Sequence, residues 1–286
     1  MRHMLKWFVF LPVVWLAGCA TPPELEGGSK TEFSIDELKQ RAEMAGYAGS
    51  HTEALMQYQQ ILDKEPDNIE ALVGAGESLL AAEQPKRAEI YLERALNLQP
   101  KHSNAREARA LAWLMQGNYA AAQRSFLELI SDGVEDWRIW NGLGVIDDLF
   151  GEYESATMRY QRAIAIEPKR VMLHNNLGYS RMMAHDYVAA EESLRHALLL
   201  DPGNTRVINN LGMCIAWQGR YDEAINLLSK VMDAAAANNN VGYVAYLRTE
   251  YAEAKEMFSK AMRLRPSFYV KAATNLDMVN RKLESE

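Results

Sequence analysis

Carboxylates, imidazoles and thiols are the groups in this chain that could do chemistry, and their spacing decides whether any can act together. Adjacent acids stand at Asp147-Asp148 and Glu191-Glu192. On a helix, neighbouring side chains diverge by about 100 degrees, so neither pair can share one proton as an acid–base dyad, and solvated faces are the better reading. The 6 histidines are scattered, and no two share a helix at metal-ligand spacing with an acid between them. No glycine-rich loop of the kind that cradles phosphate occurs, and no nucleophile has a base beside it. The sequence therefore predicts no enzyme active site, no metal, no cofactor and no small-molecule substrate. The 2 cysteines, Cys19 and Cys214, are too few for a disulfide framework and sit in different settings.

A repeat organises the chain around these groups. Asn141, Leu143, Gly144, Tyr153, Ala156, Ala163 and Pro168 are followed 34 residues later by Asn175, Leu177, Gly178, Tyr187, Ala190, Ala197 and Pro202. Counting outward gives frames at 35–68, 69–102, 103–136, 137–170 and 171–204, a shorter sixth at 205–234 and a seventh at 235–268. Position 20 is alanine throughout: Ala54, Ala88, Ala122, Ala156, Ala190, Ala224 and Ala254. A small side chain there lets the second helix of a hairpin approach the first. Position 8 is Gly76, Gly144, Gly178, Gly212 and Gly242, with Ala42 and Ala110 in the other two frames. This period and spacing resemble the tetratricopeptide repeat, a helix-turn-helix hairpin that stacks into a solenoid.

The fold class expected is thus all-α: a solenoid of about seven hairpins over 35–268, closed by a capping helix over 269–286. At 286 residues the length alone suggests about two domains, but a solenoid grows along one axis and needs no second core. Ser34-Ile35-Asp36-Glu37 fits a capping box at the start of the first helix. Prolines stop most second helices, and Ser131-Asp132-Gly133 can do so through glycine where proline is missing. The sixth frame is four residues short and ends in Ala234 to Ala237 followed by three asparagines, which predicts an abbreviated second helix. Phe268, Ala272, Leu276, Val279 and Leu283 recur as the apolar face of the closing helix. Cys214, between Met213 and Ile215, reads as a buried structural thiol.

The start of the chain has a different character. Arg2 and Lys6 precede an apolar run from Trp7 to Gly18, the layout of a signal peptide over 1–18 and too short for a transmembrane anchor. The run ends in Leu16-Ala17-Gly18-Cys19, which resembles the lipobox of bacterial lipoproteins. That resemblance implies cleavage before Cys19 and acylation of its thiol and new amine, with chains such as palmitate. The alternative is a free cysteine at the end of an uncleaved anchor. Several acyl chains on one residue give durable attachment, and Ala20 after the cysteine implies, by the same resemblance, export to the outer membrane, facing the periplasm. Residues 19–33, with Pro22, Pro23, Gly27 and Gly28, read as a leash. The net charge of −7 and a pI near 5.5, without a basic stripe, argue against nucleic acid as a partner.

In the repeat architecture the first helices line a concave groove. Its expected inward set is Arg138, Asn141, Val145 and Asp148, then Asn175, Asn176, Tyr179 and Met182, then Arg206, Asn209, Asn210, Met213 and Trp217, then Asn239, Asn240, Tyr243 and Tyr246. Paired amides can donate to and accept from an extended peptide, and Tyr, Met and Trp supply apolar contact. Asparagine at these positions serves either binding or packing, and the sequence leaves both open. Asp147 and Arg181 share position 11 of neighbouring frames, a slot usually apolar, which predicts a buried pair across the repeat junction. The alternative is a pair of ordinary surface charges. Arg41 and Arg109 also occupy nominally apolar slots.

The lipobox, Asn175-Asn176-Leu177-Gly178-Tyr179, Asn209-Asn210-Leu211-Gly212 and the closing Pro266-Ser267-Phe268-Tyr269-Val270-Lys271-Ala272-Ala273 together resemble the TadD-like tetratricopeptide repeat lipoproteins of the tight-adherence (Flp) pilus system. The resemblance implies a pilotin-like scaffold, tethered by lipid at Cys19, that binds a secretin or another pilus-assembly protein through its groove. Type IV pilus pilotins and adaptors of cell-wall synthesis enzymes share the same features.

Overall fold

The computed structural model describes residues 33–265 and 270–284. The expected signal segment, Cys19, the leash up to residue 32, and the positions of Pro266 and Phe268 lie outside the described residues. Seven hairpins follow one another. They are Ile35–Tyr47 (α1) with His51–Lys64 (α2), Ile69–Ala81 (α3) with Pro85–Leu98 (α4), Ser103–Met115 (α5) with Tyr119–Ser131 (α6), and Trp137–Leu149 (α7) with Tyr153–Ile166 (α8). Then come Val171–Met183 (α9) with Tyr187–Leu200 (α10), Thr205–Trp217 (α11) with Tyr221–Leu228 (α12), and Ala234–Leu247 (α13) with Tyr251–Leu264 (α14). Val270–Glu284 (α15) closes the array, with Ala272 and Val279 buried against it. There is no strand among the described residues, and none of their helices is long and apolar enough to cross a membrane.

The expected capping box forms: Ser34 N donates to Glu37 Oε2 at 2.8 Å, and Glu37 N donates to Ser34 Oγ at 3.2 Å. All seven position-20 alanines are buried, at most 2% exposed, where each hairpin's helices meet. Position 8 faces the large residue sixteen positions on in the same hairpin. A Cβ on Gly144 would stand 2.7 Å from the Tyr160 ring, and one on Gly178 would stand 2.5 Å from Leu194. The two frames with alanine at position 8 resolve the conflict in the next hairpin, where Gly74 and Gly142 leave room for the rings of Tyr58 and Phe126. Each hairpin turns on a residue in left-handed conformation at position 15: Gly49, Glu83, Gly117, Gly151, His185, Gly219 and Thr249. This column, mixed in residue type, reverses the chain so that two helices can pack antiparallel.

From α3 to α15, every first helix touches the first helix of the next hairpin, while second helices make no comparable contact with one another among the described residues. The first helices thus form the inner, concave side. Gly133, at φ 83°, ends α6 as expected, with Val134 N donating to Leu129 O at 3.0 Å. The short sixth unit also appears, since α12 has 8 residues. Ala234 to Ala237, however, do not close the sixth unit. Asp233 caps them from its side chain to Ala236 N at 2.9 Å, and they form the first turn of α13.

The expected Asp147–Arg181 pair does not form. Asp147 lies 3.5 Å from Arg159 and Arg181 donates to Ser193 Oγ at 2.8 Å, each partner being on the second helix of the same hairpin. Position 11 faces twelve residues onward within its own hairpin, so two such residues in neighbouring frames never meet. Arg41 and Arg109 place their guanidinium groups over the rings of Phe33 and Trp113. Cys214 is buried, its Sγ donates to Tyr187 O at 3.2 Å, and burial pushes the thiol up to about 11, as suits a structural residue.

Candidate protein-binding face

The concave side begins with charge. Arg138, at the start of α7, reaches Asp136 with Nε at 3.1 Å and Nη2 at 2.9 Å, Glu107 on α5 with Nε at 2.7 Å, and Glu77 on α3 at 3.8 Å. Asp136 also caps α7 by accepting from Arg138 N at 2.8 Å. One guanidinium therefore ties three successive first helices together amid three carboxylates. Glu107 is 3% exposed, and burial, only partly offset by Arg138, raises its pKa to about 7. Burial raises Glu77 as well, while Asp136, despite partial burial, is held below its ordinary value by its bonds to Arg138.

Amides follow. Asn176 Nδ2 donates to Asn141 Oδ1 at 3.0 Å, and Asn210 Nδ2 donates to Asn175 Oδ1 at 2.9 Å. Each bond joins position 5 of one first helix to position 6 of the next, and Asn175 and Asn176 link the two bonds at 3.4 Å. The asparagines therefore serve packing between hairpins, with Asn175 buried and Asn141, Asn176 and Asn210 half-buried. The ladder breaks at the short unit. Asn209 Oδ1 is buried without a partner among the described residues, and Asn240 donates instead to Met232 Sδ at 3.6 Å. It resumes beyond, where Asn275 donates to Asn239 at 3.0 Å.

The far end is aromatic. Tyr179 and Tyr243 are 42% and 43% exposed at position 9 of their hairpins. Trp217 stacks on Tyr187 with centroids 5.8 Å apart, and Tyr246 lies between Tyr243 and Tyr251 at 6.3 and 5.5 Å. Met213 and Trp217 pack partly into the core, whereas Arg206 is exposed beside Arg170 and Asn175 around an open hollow. Asp148 is turned away from the groove, accepting from the Tyr160 hydroxyl at 2.7 Å. Glu77 and Glu107 are the residues that the sequence reading missed. The same inward positions, 9 and 5, select them in the second and third frames.

Two tetratricopeptide repeat family models match this chain, one over residues 47–112 and 181–244 and the other over 108–170. The chain belongs to the tetratricopeptide repeat family. It is 26% identical over 133 residues to the general transcriptional corepressor trfA of Dictyostelium discoideum, a match covering 44% of this chain and 9% of that protein. Among solved structures it is similar to the APC/C hetero-tetramer Cut9-Hcn1, with a TM-score of 0.66 and 17% identity over 86% of this chain and 49% of that one. The Pseudomonas aeruginosa pilF structure is similar over 75% of this chain and 97% of its own, with a TM-score of 0.56 and 17% identity. The chain thus spans less than a tenth of that curated relative and about half of the first of these structures. At such identities the structural matches show the fold alone. Tetratricopeptide repeats are scaffolds for protein–protein interaction, and an all-α solenoid of this kind is the architecture observed.

Proposed function

We propose that this chain is a lipid-anchored periplasmic scaffold that holds an extended segment of a partner protein along its concave face. The observation that carries the binding reading is the graded face itself. Large apolar side chains stand exposed at two inward positions of α9 and α13, namely Tyr179 and Met183 at 42% and 37%, and Tyr243 and Leu247 at 43% and 47%. Carboxylates gather at the opposite end around Arg138. A segment basic at one end and apolar at the other matches that order.

The anchor and the address rest on Leu16-Ala17-Gly18-Cys19 and Ala20. By resemblance to tight-adherence pilus lipoproteins, the partner is a secretin or another pilus-assembly component, and the role is pilotin-like. Affinity purification from an outer-membrane fraction tests this, and a secretin retained by the wild type should be lost with Tyr179→Ala/Tyr243→Ala while the helical signal is unchanged. Recovery of a cell-wall synthase in place of a secretin would reject the pilus role. Failure of Cys19→Ser to abolish palmitate incorporation would reject the anchor.

A further inference from the structure

In three hairpins, position 4 of the first helix faces the residue twenty-two positions on, on the second helix of the same hairpin. Arg106 meets Glu128 at 3.6 Å, Trp140 lies under Arg162, and the His174 and His196 rings are 4.3 Å apart. The other frames fill this slot with Leu38, Leu72 and Ile208. In the seventh hairpin the residue is Asn238 and the facing residue is Lys260. Beside this amide a cavity of about 300 Å³ opens between α12 and α14. That is the lower end of the size range of small-ligand pockets.

The floor of the cavity is polar and incomplete. Asn238 is 1% exposed, and its Nδ2 donates to Ala234 O at 2.7 Å, but its Oδ1 is buried with no hydrogen-bond partner among the described residues. A buried acceptor left unpaired is costly and calls for a donor. Ile225 and Met257 supply apolar wall, and Asp222, Glu253 and Glu256 stand at the rim against the single ammonium of Lys260. These three carboxylates make no ion pair among the described residues.

We infer that this cavity is a binding site for an arginine side chain presented by another protein, on the second-helix side of the array and separate from the concave face. A guanidinium fits each requirement at once. Its planar fork carries five N–H donors, enough to serve both Asn238 Oδ1 and the rim carboxylates, and its methylene stem lies along Ile225 and Met257. An ammonium, a point charge, serves the floor and the rim less well together.

The test is an amide-resolved NMR titration of the full chain with N-acetyl-arginine amide, alongside its neutral isostere N-acetyl-citrulline amide and N-acetyl-lysine amide. The arginine compound should give saturable shifts confined to residues around Ile225, Asn238 and Met257, and both others should bind at least tenfold more weakly. Asn238→Leu, which restores a residue found at this position in two other hairpins, should abolish the shifts without lowering the melting temperature. Equal binding of citrulline or lysine amide, shifts that survive Asn238→Leu, or no saturable shift at these residues would each overturn the assignment.

Discussion

Glu107→Gln tests how the concave face balances burial against charge. Glu107 is 3% exposed and shares Arg138, its one cationic partner among the described residues, with Glu77 and Asp136. Burial therefore outweighs the attraction of the guanidinium and lifts the group from 4.5 to about 7. Between those values the folded chain keeps a proton that the unfolded chain has released, so stability falls as pH rises through the window. The distance between them corresponds to about 3 kcal/mol, reached in full only above pH 7. Glutamine is close in shape to the protonated acid. Wild type and Glu107→Gln should therefore unfold at nearly the same urea concentration at about pH 5, and the variant should be the more stable by up to about 3 kcal/mol at about pH 8. Burial lowers His174, which works in the opposite direction below its ordinary 6.5, but that contribution is common to both proteins and cancels in the difference. Urea titrations followed by far-ultraviolet circular dichroism across the range give the two curves. A variant less stable than wild type at the alkaline end would refute the reasoning, because it would mean that the Arg138 attraction exceeds the cost of burial.

Four further substitutions probe the packing. Tyr160→Phe strips the donor from Asp148 Oδ2, so stability at neutral pH should drop by about 1–3 kcal/mol in thermal melts. An unchanged melting temperature would show that the carboxylate does not depend on this bond. Gly144→Ala should destabilise by about 1–3 kcal/mol, since its Cβ would enter the Tyr160 ring, while Gly46→Ala, with open space around it inside α1, should stabilise by about 0.5–1 kcal/mol. Equal effects at the two sites would sink the close-approach account. Thr249→Gly should raise stability by about 0.5–1 kcal/mol, because a β-branched residue at φ 64° holds the turn before α14 in a conformation that glycine adopts without strain. A destabilised variant would place the turn's energy elsewhere.

What could be read from the sequence followed from how many residue types each position tolerates. Position 20 admits only alanine, so its seven-fold recurrence exposed the period, and the missing four residues of the sixth frame located the short α12. Position 15 carries an equally strict demand on the backbone, yet Glu83, His185 and Thr249 meet it, and a constraint that several residue types satisfy leaves no column to see. The misassigned pair has a different cause. A frame position says which face a residue occupies, but not whether that face looks along its own hairpin or across to the next.

The structure supplies those offsets. Contacts within a hairpin join residues twelve, sixteen and twenty-two apart, as in Tyr160 with Asp148, Gly144 with Tyr160 and His174 with His196. Contacts between hairpins join residues thirty-five apart in the asparagine ladder, and twenty-seven apart where Ser180 and Cys214 reach the carbonyls of Tyr153 and Tyr187. These offsets place Asp147 beside Arg159 and put Asn238 opposite Lys260. The asparagine ladder is interrupted around the sixth unit. There Asn209 Oδ1 is left without a partner among the described residues on one side, and the cavity beside Asn238 opens on the other. A lapse in periodicity has no packing role that the neighbouring hairpins share, which makes the junction of α12 with α13 and α14 the place where this solenoid departs most from its own repeat.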